Sequence, residues 1–142
     1  VVEGIKAAGG EAIANRANVA ELADIEAMIA AATSTYGKLD ILVNNAGIMD
    51  GMEPVGEITD EKWDRIFAVN TRGVMQAMRL AVNLFLGQGH GVIVNNISAG
   101  GIRGARAGAA YVASLSLHFS IEYLTSSSQS SKSTNSRLKC PL

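Results

Sequence analysis

Apolar residues near the start of the chain recur with the period of an α-helix. Between residues 21 and 36 they are spaced three and four positions apart, and Gly37 follows where a glycine commonly ends a helix. Residues 1–8 have the same character and run into a Gly-Gly pair. We therefore expect a helix over 21–36 and the end of another over 1–8.

The longest helix is predicted over residues 60–86, with a candidate N-cap at Thr59 or Asp60. Its apolar stripe is the clearest in the sequence, and a helix with such a stripe packs it against a core. Asn70 interrupts the stripe, so a carboxamide is expected to point at the core. The stripe consists of Trp63, Ile66, Phe67, Val74, Ala77, Met78, Ala81 and Phe85.

Short apolar runs between the helices predict strands. Residues 39–43 form a nearly continuous apolar run that ends in Asn-Asn-Ala-Gly, as expected of a central parallel strand buried on both faces. A second run, residues 92–94, leads to Ser98, and a further strand is predicted over 11–17. The alternation of strands and helices indicates an α/β fold with a parallel sheet and right-handed crossovers.

Composition and charge favour a globular domain that acts on a small molecule. The 142 residues are 48% hydrophobic and 18% charged, which is enough to build the core of one domain. The net charge of −1, without any Lys/Arg run, predicts no nucleic-acid partner and no membrane partner. The single cysteine, Cys140, cannot form an internal disulfide, so we expect the protein to be located in the cytoplasm. Because His90 and His118 lack ligand-spaced companions, no metal site is predicted.

The chain changes character after residue 114. Serine and threonine dominate residues 125–136, a composition too polar to compensate the entropy of ordering. We expect residues 1–114 to fold and residues 115–142 to form a disordered tail. The chain also begins at Val1 inside a helix-like pattern, so we expect it to be an excerpt of a longer protein.

Ser98 and Tyr111 are the residues at which the pattern alone suggests chemistry. Ser98 follows a predicted strand and would face the crevice in which open α/β sheets bind ligands. Tyr111 lies 13 positions further on, and a phenol can act as a general acid or base if its pKa is lowered from about 10. The alternative is that Ser98 caps a turn and Tyr111 is a packing residue. The two residues by themselves leave both interpretations open.

Four segments, in this order, resemble the short-chain dehydrogenase/reductase family, and the resemblance covers roughly residues 1–114. It implies part of a Rossmann-type fold, a doubly wound parallel sheet in three layers. It also implies hydride transfer between NAD or NADP and a small alcohol or carbonyl substrate, in a parent that forms homo-oligomers. The segments are L-D-I-L-V-N-N-A-G (39–47), V-N-T-R-G (69–73), G-V-I-V-N-N-I-S (91–98) and Y-V-A-S (111–114).

The resemblance implies catalytic roles for three residues. Ser98 would hydrogen-bond the substrate oxygen, and Tyr111 would pass the proton. Asn70 would hold a water and the helix geometry behind the tyrosine. A satisfied buried amide is the alternative for Asn70, since an unpartnered carboxamide in an apolar stripe is costly.

The resemblance also implies a cofactor-binding set. Asn18-Val19 occupies the place of an Asp-Val pair that contacts adenine in the family, and an asparagine can still donate and accept hydrogen bonds. The segment after residue 43 would support the sheet and pass beneath the adenosine, although its asparagines are also turn formers. The predicted cofactor-binding residues are Asn18, Val19, Asn44, Ala46 and Gly47.

Two departures from the family pattern put activity in doubt. Leu115 stands where the pattern Tyr-x-x-x-Lys has its lysine, which removes the cation one helical turn beyond Tyr111. The sequence also contains no G-x-x-x-G-x-G turn for the cofactor phosphates. We therefore expect a fold truncated at both ends and a chain that is inactive or impaired.

The main prediction is a fragment of an NAD(P)-dependent oxidoreductase that interconverts a secondary alcohol and a ketone. The alternative is a non-catalytic chain that associates with full-length subunits through the helix at 60–86, which resembles a dimerising helix of the family. An unrelated α/β binding domain is a third possibility, and the match of four motifs in order leaves it little room.

Overall fold

The computed structural model describes residues 1–104 and 107–116, and the backbone of residues 123–124. The helices are α1 (Val2–Ala7), α2 (Leu22–Tyr36), α3 (Asp60–Phe67), a π-helical segment (Ala68–Gly73), α4 (Val74–Gln88), α5 (Ala99–Arg103) and α6 (Ala109–Leu115). The strands are β1 (Ile41–Asn44), β2 (Gly91–Asn95) and β3 (Tyr123–Leu124).

The helix ends follow the capping signals in the sequence. The Thr59 side chain accepts a hydrogen bond from the Lys62 backbone N–H at 3.3 Å and caps α3. Gly37 ends α2 with φ of 78°, and Gly89 ends α4 with φ of 79°, a conformation that glycine adopts without strain. The predicted helix at 60–86 is therefore a helical run from 60 to 88 in which the π-helical segment joins α3 to α4.

The strands form a sheet of order β1-β2-β3. β1 and β2 are parallel, with Leu42 opposite Ile93 and Asn44 opposite Asn95. β3 is antiparallel to β2. The parallel pair, separated along the chain by helices, confirms the predicted α/β class, and its carboxyl end is where the asparagines of both strands meet.

The core lies between one face of the sheet and helices α2 and α4. Side chains from these four elements pack together because the helical stripe and the alternate strand positions point toward each other. Burial of this apolar surface is the main stabilising contribution to the fold. The core cluster consists of Ile25, Leu42, Ala77, Ala81, Phe85 and Ile93.

Two strand predictions were wrong. β1 was expected to be a central strand buried on both faces, but it lies at an edge of the described sheet, and Ile41 and Val43 are 57% and 58% exposed. The reason is that the core packs against the opposite face, where Leu42 points. Residues 11–17 form no strand, because no neighbouring strand in the described ranges supplies them with a ladder of hydrogen bonds.

The predicted tail falls almost entirely beyond the described residues. Leu115 is the last residue of α6, and Ser116 is its C-cap. The Ser/Thr-rich stretch at 125–136 lies outside the described residues. Its predicted disorder stays a prediction.

Phe85 should dominate the stability of the core. It is 1% exposed and belongs to the core cluster, so Phe85→Ala should lower the free energy of unfolding by about 3–5 kcal/mol. Urea denaturation followed by circular dichroism measures the change. The control is Leu86→Ala on the same helix, since Leu86 is 58% exposed and its loss should cost within about 0.5 kcal/mol. Equal costs for the two variants would contradict this packing.

Candidate functional site

Asparagine pairs mark the carboxyl end of the parallel strands. The Asn44 side-chain Nδ2 donates to the Asn95 side-chain Oδ1 at 2.8 Å. The Asn96 amide donates to the Asn45 side chain at 2.6 Å. The Asn44–Asn95 pair lies at the last register position of the β1–β2 ladder, and the Asn45–Asn96 pair follows directly after it, so both loops leave the sheet side by side.

Asn70 lies in the π-helical segment and is 4% exposed. Its Oδ1 accepts from the Ile48 backbone N–H at 2.9 Å, and its Nδ2 donates to the Ile48 carbonyl at 3.0 Å. The same Nδ2 donates to Ser114 Oγ at 3.0 Å. The buried carboxamide is therefore fully partnered, and it connects the loop after β1 with helix α6.

The Ser114 hydroxyl links the Asn70 carboxamide to the backbone of Tyr111 through two hydrogen bonds. Its hydroxyl donates to the Tyr111 carbonyl at 2.9 Å while it accepts from Asn70. Thr71, next to Asn70 in the π-helical segment, donates from Oγ1 to the Ser114 carbonyl at 3.0 Å. Thus the structure brings Asn70 and the helix of Tyr111 together through two adjacent residues of one helical turn.

Ser98 lies at the start of α5, which packs against α6. Its hydroxyl accepts from the Gly100 backbone N–H at 3.1 Å, so Ser98 is the N-cap of α5. The Ser116 hydroxyl donates to the Gly101 carbonyl at 2.9 Å, and Gly101 lies so close to the Leu115 backbone that a side chain at 101 would clash. The helices that carry Ser98 and Tyr111 are therefore in direct contact.

Three residues of the predicted cofactor-binding set share a cavity of about 170 Å³. Val19, Asn44 and Ala46 line it, together with apolar side chains of α2, β1 and α4. Asn18 is exposed beside it, and its side chain accepts from the Ala20 backbone N–H at 3.1 Å. Gly47 lies instead next to Asn70, where a Cβ would be 3.5 Å from Oδ1.

Gly73 fixes one wall of this cavity. The Val19 carbonyl oxygen occupies the space in which a Cβ at position 73 would stand. Both residues line the cavity, so the segment that contains Val19 rests directly on the end of the π-helical segment. Only glycine permits this approach.

Leu115 lies one helical turn beyond Tyr111, as its spacing requires. It lines a small cavity of about 20 Å³ together with polar side chains that include Asn70 and Ser114. The lining also contains the apolar residues Val74 and Ile97, and the Asn70 and Ser114 side chains are already hydrogen-bonded to each other.

Asp50 is a buried carboxylate that sequence reasoning missed. It is 0% exposed, and its oxygens accept from the backbone N–H groups of Met52 at 3.0 Å, Gly108 at 3.1 Å and Tyr111 at 2.9 Å. Burial acts to raise the pKa of this carboxyl, but the three hydrogen bonds outweigh burial and the pKa lies below its ordinary value. In the sequence Asp50 precedes Gly51 and indicates only a turn, because its partners in α6 are 58 and 61 positions away.

Some kinds of site do not occur in the described part of the chain. Residues 1–104 and 107–116 contain no group of three His, Cys, Asp or Glu side chains placed to hold a metal ion. Among the described helices, none has both the length and the apolar character that crossing a bilayer requires.

Comparison with known proteins assigns the family. Residues 1–127 match the family model of the short chain dehydrogenases. The chain belongs to this family. A 3beta-hydroxysteroid dehydrogenase 2 of Eggerthella lenta is 43% identical over 100 residues, which are 70% of this chain and 38% of that protein. The chain thus spans less than half the length of this relative.

Two solved structures have the same fold over most of this chain. A metagenomic short-chain oxidoreductase in complex with NADP superposes with a TM-score of 0.74 at 31% identity, over 80% of this chain and 52% of that one. An NAD⁺-bound xylitol dehydrogenase gives a TM-score of 0.76 at 25% identity, over 81% and 44%. The predicted family membership and the partial Rossmann-type fold are confirmed.

Removal of the Asn70 carboxamide should loosen the loop after β1. In Asn70→Ala the backbone groups of Ile48 lose their partners, and we expect a loss of about 1–3 kcal/mol in the free energy of unfolding. Faster hydrogen exchange of the Ile48 amide should accompany it. Asn83→Ala, an exposed asparagine on α4, is the control and should change neither quantity. An Ile48 amide that keeps its protection in Asn70→Ala would contradict this role.

Asp50 should make folding stability depend on acid pH. Because its folded-state pKa lies below the unfolded value of about 3.9, the ionised carboxylate contributes stability that is complete above that pH. This contribution is lost as the pH falls through the folded-state pKa. Asp50→Asn should be less stable at pH 7 and should lack this part of the pH dependence, which has a slope of at most about 1.4 kcal/mol per pH unit.

Urea denaturation of both proteins at a series of pH values from neutral to about 2 tests this prediction. The lowered pKa values of Asp40 and Glu61 are common to both proteins, so the difference between the two profiles isolates Asp50. Parallel profiles would show that Asp50 does not titrate with folding.

Proposed function

We propose that this chain is part of an NAD(P)-dependent oxidoreductase that interconverts a secondary alcohol and a ketone by hydride transfer. The observation that carries the proposal is the hydrogen-bonded path from Asn70 through Ser114 to Tyr111, in a chain that belongs to the short chain dehydrogenases. The proposed substrate is a small alcohol or carbonyl compound. The single cysteine favours the cytoplasm.

In this proposal Ser98 and Tyr111 handle the substrate oxygen. Ser98 retains a hydroxyl hydrogen, because its cap contact to Gly100 uses only an acceptor lone pair. That hydrogen can be donated to a carbonyl or alcohol oxygen. Tyr111 exchanges the proton, and Asn70 holds the turn behind it. A bound nicotinamide would supply or receive the hydride.

The cavity lined by Val19, Asn44 and Ala46 suits the flat, largely apolar face of an adenine. Its walls are mainly aliphatic, and the carboxamide of Asn44 adds a donor and an acceptor. Relatives of the chain were solved with NADP and with NAD⁺. Because no feature of residues 1–104 and 107–116 selects between the two, we propose NAD or NADP.

Leu115 should make this chain inactive or impaired. Leucine cannot donate a hydrogen bond or carry charge beside Tyr111, and the loss of one acid/base partner commonly costs about 10²–10⁴ in rate. Leu115→Lys should therefore raise the rate of NADH or NADPH formation from a small secondary alcohol such as cyclohexanol by about 10²–10⁴. Absorbance at the nicotinamide band measures it.

The controls for this assay separate the parts of the proposal. Leu115→Met, an apolar replacement of similar length, should give no increase. Tyr111→Phe in the Leu115→Lys background should abolish the increase. If the unsubstituted chain turns over substrate and Tyr111→Phe abolishes that turnover, the result would support the proposed oxidoreductase reaction. It would contradict the prediction that Leu115 impairs the chain. A Leu115→Lys protein that folds, binds cofactor and remains inactive would contradict the role given to position 115.

A second candidate function is association with full-length subunits through the helical run from 60 to 88. The observation that favours it is the exposure of Met75 and Leu86, which are 37% and 58% accessible on this run. Co-expression of a tagged chain with a full-length homologue tests it. Formation of heteromers without a gain in turnover would favour this role over catalysis, provided that the Met75→Glu, Leu86→Glu double variant no longer forms them.

A further inference from the structure

Helix α6, which carries Tyr111, begins without a side-chain cap of its own. Its N-cap is Gly108, which has no side chain to accept from the free N–H groups of the first turn. Asp50 supplies the missing acceptors from another part of the chain. One oxygen accepts from Gly108 and the other from Tyr111.

The Asp50 carboxylate occupies the space that a side chain at position 108 would need. A Cβ at position 108 would overlap both oxygens and the Cγ of Asp50. Asp50 is fully buried, and a buried anion is tolerated only where hydrogen bonds and a favourable dipole replace its water. The first turn of α6 supplies both, because its N–H groups point at the carboxylate.

The loop that carries Asp50 is held on both sides. Ile48 is fixed by the Asn70 carboxamide. On the other side, the Glu53 carbonyl accepts from the Ala109 backbone N–H at 3.0 Å, and the Glu53 side chain pairs with Lys62 of α3. The carboxylate therefore has a fixed position from which it can set the start of α6.

We propose that Asp50 is a positioning residue that fixes the orientation of Tyr111 by capping α6 from the loop after β1. The inference rests on the proposed function for its chemical meaning, since Tyr111 is there the proton-transfer residue. Reacting groups need placement within a fraction of an ångström, and an error of about 1 Å can cost about 10² in rate. Asp50 touches no substrate in this scheme and acts only through Tyr111.

Amide hydrogen exchange and ring signals of the whole 14.8 kDa chain, without cofactor or substrate, test the proposal by NMR. In Asp50→Asn the side-chain carbonyl should keep Met52 and Gly108, which are two of the three contacts. The new NH₂ group then faces the Tyr111 N–H. We expect exchange of the Tyr111 amide to accelerate about 10-fold or more and that of Gly108 less than about 3-fold.

Gly108→Ala should give a different signature, because its methyl group displaces the carboxylate. Exchange should accelerate at both Tyr111 and position 108, and the ring signal of Tyr111 should shift. The signal is assigned by its loss in Tyr111→Phe. On an Asp50→Ala background the same Gly108→Ala substitution should have a smaller effect, because the clash partner is gone. Asp64→Asn, an exposed aspartate on α3, is the matched control and should leave the Tyr111 signals unchanged.

Comparison with the core amides of Phe85 and Ile93 separates positioning from general stability. Asp50→Asn also lowers the global stability, so core amides that exchange through global unfolding should accelerate to some extent. An acceleration at Tyr111 that clearly exceeds that of the core supports the proposal. Equal acceleration at all these amides in Asp50→Asn, or an unchanged Tyr111 amide, would overturn it. If Asp50→Ala does not fold, Asp50→Asn and Gly108→Ala still decide. The assays on Leu115→Lys and Tyr111→Phe judge the catalytic proposal independently.

Discussion

The buried carboxamide of Asn70 is the contact on which the rest of the site depends. A carboxamide in an apolar stripe is stable only when both its donor and its acceptor are used. The structure meets this condition by bringing the Ile48 peptide and the Ser114 hydroxyl to the same side chain. The π-helical turn that carries it is of a kind often found at functional positions. Because one amide satisfies two distant segments, the loop after β1 and helix α6 cannot move independently.

The sequence predicted those parts of the structure that arise from local chemistry. The apolar stripe of 60–86, the Thr59 cap and the glycine after residue 36 indicate helices through spacing and backbone preference, and the structure contains them. β1 was placed correctly along the chain but wrongly as a central strand, since an apolar run does not reveal which of its faces is covered. The contact of Asp50 with α6 was out of reach, because it joins residues about 60 positions apart and depends on the assembled sheet.

The two interpretations of Ser98 turn out to be compatible. A hydroxyl carries one hydrogen and two lone pairs, so a serine that accepts from a helix N–H can still donate elsewhere. Leu115 offers no such double use, since an alkyl chain neither donates nor accepts. Helix α6 thus keeps the geometry of its first turn through Asp50 and Ser114 while its last residue lacks polar chemistry. The backbone geometry of α6 and its supply of polar catalytic side chains are therefore determined by different residues.

Gly73 has a consequence for how this protein can vary. The Val19 carbonyl stands where any side chain at 73 would begin, so even a single added methyl group must push two segments apart. One of them lines the cavity and the other contains Asn70. Position 73 therefore has no room for a side chain with this path of the backbone, and a substitution there would need a different path for residues 18–20. The absence of a side chain at position 73 lets the segment that contains Val19 contact the segment that contains Asn70.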